Sequence, residues 1–209
     1  ELIAPHVHAI LDLQQRGMPT EFLLLPGGTY IFDETHGFPH DARAAYFPKS
    51  NVVAFRISSI TDSGNSESSA RKHRFAVAHE LWHAADNKNG YTEKLPGLAF
   101  TLELDGRVSM EDPMAELYDQ WEANTELGKK FGYPLNELKR ELDAALAGVS
   151  NKSSAANKVM RTAQREMFAQ LGAVFISNPG LLKREAPAAY ALIKELRDNP
   201  TPQAEEILS

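Results

Sequence analysis

The chain has 209 residues, a formal charge of −6 and no cysteine. That length is most simply one domain, 1–209, with a core of its own. The acidic balance, without any basic stripe, argues against nucleic-acid binding, and no apolar run is long enough to span a membrane. Without cysteine there are no disulfides, thiolate metal sites or cysteine nucleophiles, so a metal must be held by His, Asp or Glu.

Pro5 to Gly17 reads as a short amphipathic helix. Glu21 to Leu25 and Thr29 to Asp33 read as strands around Pro26-Gly27-Gly28. A Gly-, Pro- and His-rich loop follows. His36 and His40 within it, like His6 and His8 near the N-terminus, read as solvent-facing. Asn51 to Ser58 is a strand with Val53, Phe55 and Ile57 on one face, and its edge suits an extended substrate. Thr61 to Ser69 is polar and reads as a mobile linker, with no partner pattern for a serine nucleophile. Arg71-Lys72-His73-Arg74 reads as the solvated first turn of the next helix.

That helix is the most informative segment. Ser68 and Ser69 offer N-caps, Arg71 to Asp86 holds no Gly or Pro, and Asn87 to Gly90 supplies a stop. Phe75, Ala78, Trp82 and Ala85 repeat at helical spacing as a buried face. The helix also carries His79-Glu80-Leu81-Trp82-His83. Histidines four apart stack on one helical face, so both imidazoles can bind one ion, and Glu80 lies beside that face within reach of a water on the metal. Zinc takes neutral nitrogen ligands tetrahedrally, and a hydrolytic site leaves one position for water. The pattern therefore supplies two ligands and a general base, and a third ligand must come from elsewhere.

Beyond the helix, Leu98 to Leu104 and Arg107 to Met110 suggest a hairpin around Asp105-Gly106. The rest reads as helices over 113–131, 135–147, 153–177 and 187–197, broken at Gly132-Tyr133-Pro134, Gly148 to Ser153 and Pro179-Gly180. The fold class is α+β: a small sheet in the N-terminal half, the active helix, then a mostly helical C-terminal half.

Several acids compete as third ligand. Glu116, Asp119 and Glu122 share a helix whose buried face is Met114, Leu117 and Trp121. Glu166 precedes Met167 on the helix of Met160, Ala163, Leu171 and Val174, and a carboxylate bordering large apolar residues is costly unless paired or metal-bound. Asp86, three residues after His83, is placed to orient a histidine rather than to bind metal. Spacing alone leaves Glu166, Glu116 and Glu122 open.

His79-Glu80-Leu81-Trp82-His83-Ala84-Ala85-Asp86 followed by Gly90 resembles the H-E-x-x-H-x-x-D…G segment of the anthrax lethal factor catalytic domain and of the Mlc titration factor peptidases. Both are gluzincins. Glu166-Met167-Phe168-Ala169 is similar to their E-F-F-A-like run, which carries the third zinc ligand. Pro187-Ala188-Ala189-Tyr190 resembles their P-x-x-Y stretch, and Ala45-Tyr46-Phe47-Pro48 the segment before the active helix. The resemblance spans roughly 40–90 and 160–197, with about 111–159 reading as a helical insertion. Two further likenesses point elsewhere. Arg74 to Leu81 with Glu122-Ala123-Asn124 is similar to phage-repressor-cleaving peptidases, and the type III effector peptidases like clostridial neurotoxins would favour Glu116.

The resemblance implies a zincin-like fold with a small mixed sheet. It also implies Zn2+ held by His79, His83 and Glu166, with Glu80 as general base and Asp86 behind the ligands. A gluzincin adds an oxyanion donor, left open among Tyr118, Tyr133 and Tyr190. The expected activity is hydrolysis of a peptide bond in a protein or peptide substrate, by a bacterial toxin or effector domain. A cytosolic regulatory peptidase, or a zinc-binding interaction protein with little hydrolytic activity, is the alternative. The chain opens at Glu1 rather than methionine, as a processed or excised domain would. Composition leaves the location between the bacterial cytoplasm and a secreted or translocated toxin.

Overall fold

A computed structural model describes residues 4–32, 43–94 and 152–199. The expected hairpin, the helices over 113–131 and 135–147, Glu116, Glu122, Tyr118, Tyr133, His36 and His40 lie outside them. The described elements are α1 (Ala4–Gln15), α2 (Thr20–Leu23), β1 (Gly28–Phe32), β2 (Ala44–Phe47), β3 (Val52–Arg56), α3 (Ile57–Ser63), α4 (Glu67–Asn89) and α5 (Tyr91–Lys94). They continue with α6 (Lys152–Ser177), α7 (Pro179–Glu185) and α8 (Pro187–Asp198). Among the described residues the architecture is α+β, a three-stranded mixed sheet near the N-terminus with the remaining elements helical.

The strand order is β1-β3-β2, with β1 parallel and β2 antiparallel to β3. Asn51 closes the β2–β3 connection with φ 53°, in the left-handed region that asparagine tolerates better than most side chains. Its Nδ2 donates to the Leu25 carbonyl at 2.7 Å, its own carbonyl accepts from Gly27 N–H at 2.7 Å, and Tyr46 Oη–H donates to its Oδ1 at 2.9 Å. One residue thus ties the entry to β1, the β2–β3 turn and the β2 side chain together. The segment Asn51 to Ser58 supplies the central strand, so it is not the edge expected for a substrate; among the described strands the edges are β1 and β2.

Three local expectations change. Glu21 to Leu25 falls mostly in a single helical turn, because the run is too short to show a period and Phe22 is better buried from a helix. Thr61 to Ser69 is largely helical rather than a mobile linker. Ser59 and Ser63 of α3 are buried, with Ser63 Oγ donating to the Ile60 carbonyl, and α4 starts at Glu67. The N-cap is Ser66, whose hydroxyl accepts from Ser69 N–H at 3.1 Å. Pro179 breaks α6 but opens α7 at its first turn, where a missing N–H costs nothing.

The helix α4 runs 23 residues to Gly90, which caps it at φ 66°. It is the axis of the fold, packed on α1, α2, α3, β2 and α6, which explains why a helix rich in polar letters is buried on several sides. Ala78, Trp82 and Ala85 are fully buried as their spacing predicts, and Phe75 is partly so. Trp82 meets Phe22 edge-on at 4.9 Å and Phe168 of α6 at 5.6 Å. Gly172 allows this approach, since a Cβ there would lie 2.4 Å from the indole. Gly172→Ala gains about 1 kcal/mol of helix propensity but overpacks the indole for about 1–3 kcal/mol or more. Net destabilisation is expected, lowering Tm by several degrees, roughly 2–4 °C per kcal/mol for a domain of this size. A thermal melt that rose instead would show that α6 can shift away freely.

Candidate metal centre

His79 and His83 stack one turn apart on α4, their rings edge-on at 4.7 Å and their Nε2 atoms 3.1 Å apart. The packing of α6 on α4 brings Glu166 over the same spot. Its Oε2 is 3.1 Å from His79 Nε2 and its Oε1 is 3.2 Å from His83 Nε2. These three residues form a group whose ligand atoms all lie within 4.8 Å of one another. A shared cation would satisfy all three acceptor-capable atoms together.

The donor set fits zinc. Tetrahedral bonds of about 2.05 Å hold ligand atoms about 3.3 Å apart, close to the spacings found here. Two imidazoles and one carboxylate leave a fourth position for water. All three side chains are only partly buried, with exposures of 15%, 13% and 37%.

The electrostatics agree. Burial would raise the Glu166 carboxyl, but His83 and His79, by charge and by hydrogen bonding, hold it well below the usual carboxylate range. Glu80 goes the other way. It is buried on the sheet side of α4, and that burial pushes its carboxyl up to about 7, with Glu166 adding repulsion. His79 and a hydrogen bond from the Tyr46 backbone N–H oppose the rise. The adjacent acids thus differ sharply in proton affinity, one set to remain ionised and the other to take up and release a proton near neutrality.

The surroundings fix these groups from both sides. On the sheet side, the Tyr46 hydroxyl accepts from Asn87 Nδ2 at 3.1 Å, tying β2 to α4 one turn beyond His83. On the helical side, Asp86 is 3% exposed and accepts from Thr92 N–H at 2.7 Å and Thr92 Oγ1 at 2.8 Å. Asp86 therefore secures α5, while Arg165, the neighbour of Glu166, lies 3.8 Å from it and bonds Glu93 at 2.7 Å. These contacts place Asp86 at the α4–α5–α6 junction. Tyr190 stacks on Phe175 at 5.3 Å. Phe175 stands nine residues along α6 from Glu166, about 13 Å by helical rise.

Two histidines depart from expectation. His73 is fully buried, not part of a solvated basic turn, and its Nε2 lies 3.3 Å from Nδ1 of His6, which is partly buried rather than solvent-facing. The helical period contained the signal: His73, Val77 and Ala84 share a face, whereas Arg71 and Lys72 point outward.

No family model, curated protein or solved structure matches this chain. Among the described residues, no helix is long and apolar enough to cross a membrane.

Proposed function

We propose that the chain is a zinc-dependent endopeptidase of gluzincin type that hydrolyses a peptide bond in a protein substrate, as a bacterial toxin or effector domain does. The observation that carries this reading is the convergence of His79, His83 and Glu166 beside a buried Glu80. His79, His83 and Glu166 would hold the ion. When bound, zinc supplies an acidified water and a Lewis acid for a carbonyl oxygen. Glu80 takes the proton from the attacking water and passes it to the leaving amine. Burial favours this double duty, since a carboxyl near 7 gains and loses a proton at little cost.

The edge strand β2 lies against α4 with the Tyr46 backbone bonded to Glu80, so an extended substrate pairing on its outer edge would pass the site. A zinc-binding interaction protein is the competing reading. Glu80 argues against it, because metal binding alone does not require a buried acid that is costly to ionise. The test is metal content together with cleavage of a diverse peptide library. One zinc per chain, and cleavage that chelator abolishes and zinc restores, is the expected result. Zinc retained with no product from any peptide would favour the interaction protein.

A further inference from the structure

We propose that His6, His73 and Ser59 form an acid-sensitive latch that holds α1 on the body of the protein at neutral pH and releases it when the pair takes up protons. The cluster is separate from the metal centre: His73 stands six residues, about 9 Å, before His79 on α4. His6 comes from α1, Ser59 from α3 and His73 from α4, with Phe55 of β3 closing the pocket. The His73 ring has His6 Nδ1 at 3.3 Å on one nitrogen and Ser59 Oγ at 3.3 Å on the other. Phe55 lies against both rings, at 4.7 Å from His6 and 5.5 Å from His73.

One hydrogen fits between the facing ring nitrogens, so two neutral imidazoles satisfy each other, one donating and one accepting. A first added proton places a charge in a pocket walled by Phe55. A second sets N–H against N–H and breaks the bond. The surrounding charges make this worse. Arg43, ahead of β2, repels a positive His73, and each histidine repels the other. The nearby acids give no relief: Asp12 of α1 and Glu67 of α4 are engaged by Arg74, and Asp62 of α3 is on the surface. Arg56 of β3 and Arg71 and Lys72 of α4 add only positive charge to these elements.

Burial holds both histidines below their ordinary value, His73 down to about 4. The unfolded or released state therefore binds protons first as pH falls below about 6.5, and the latch weakens progressively from there toward 4. Release of α1 uncovers Ala9 and Leu13, which it buries in the core. The device thus turns mild acid into exposed apolar surface at one end of the fold.

The test is amide hydrogen exchange of the metal-saturated full chain at pH 7.5, 6 and 5, corrected for intrinsic exchange, with His73→Phe and His6→Phe in parallel. In the parent, the open fraction of α1 should rise about tenfold or more between pH 7.5 and 5. In either variant the rise should be clearly smaller than in the parent, because only one of the two lowered histidines remains to take up a proton on opening. His6→Phe, altering a partly exposed position, keeps the test decisive if His73→Phe does not fold at pH 7.5. Unchanged α1 protection in the parent at pH 5 would overturn the proposal. So would parallel opening of parent and variants, which would assign the effect to the Arg74 carboxylate contacts.

Discussion

A Glu80→Gln protein is expected to keep its zinc, lose about 10²- to 10⁴-fold in peptide cleavage, and become more stable than the parent in its metal-free form at pH 8. The first two effects follow from the division of labour in the site. Glu80 is no ligand, so its loss leaves His79, His83 and Glu166 intact, while glutamine cannot take a proton from water. The third follows from burial. The folded chain raises the Glu80 carboxyl from 4.5 to about 7. The folded state therefore binds this proton more tightly than the unfolded chain, and stability falls as pH rises from about 4.5 through about 7. Above that window the parent carries the full cost of an ionised buried acid, about 3 kcal/mol for a shift of this size. Glutamine accepts the Tyr46 N–H without charge and removes that cost. The gain should shrink toward pH 5, where the parent already holds the proton. Urea titrations at both pH values, alongside kcat on one peptide, read the whole prediction. Undiminished cleavage would remove the mechanism. Equal stability at pH 8 would mean that Glu80 keeps its water.

A residue that destabilises the fold where it stands, and whose replacement costs only activity, is what a functional site requires. The same logic separates what was legible in the sequence from what was not. The helix α4 was legible because three local signals coincide: a Ser-rich start, an uninterrupted helical stretch and a glycine stop, with the His79–His83 face and the Trp82 face set by the same 3.6-residue period. The sheet was legible in β1 and β3, where β-branched and aromatic residues lie between turn formers. Its order was not, since pairing β1 parallel to β3 with β2 outside depends on contacts between separate segments. Nothing local to Asn51 to Ser58 therefore distinguishes a central strand from an edge. α3 was missed because Ser and Thr are weak helix formers, and its stability comes from burying Ser59, Ile60 and Ser63 against α4. Gly172 left a trace in an otherwise helical run, but nothing local shows that an indole occupies the missing side chain's place. His73 is hidden among the charges of Arg71, Lys72 and Arg74, and only the helical period that sets it with Val77 marks it as buried. The acid beside the two histidines is a different matter, for Glu166 is 87 residues from His79 and no spacing rule reaches so far.

That separation makes Glu166 the most demanding test of the site. Glu166→Ala should lower zinc affinity by on the order of 10²- to 10³-fold, with His79→Ala and His83→Ala behaving alike. Structural zinc sites with four ligands bind by about 10–16 kcal/mol, so each ligand accounts for roughly 3 kcal/mol, and 1.4 kcal/mol is tenfold. The ion would also join α4 to α6, two helices distant in the chain. In the parent, zinc should therefore raise Tm, the gain growing with the logarithm of its concentration over Kd, since only the folded chain brings the three residues together. In Glu166→Ala the same zinc should raise Tm far less. The metal-free variant should be somewhat less stable than the metal-free parent at neutral pH, because the two histidines lose the carboxylate they hold low, so each zinc-dependent gain is read against that protein's own metal-free melt. Competition against a chromogenic chelator gives the affinity, and paired melts give the coupling. An alanine variant that binds one zinc as tightly as the parent, and gains as many degrees from it, would place the third ligand elsewhere in the chain and leave the two histidines with a different partner.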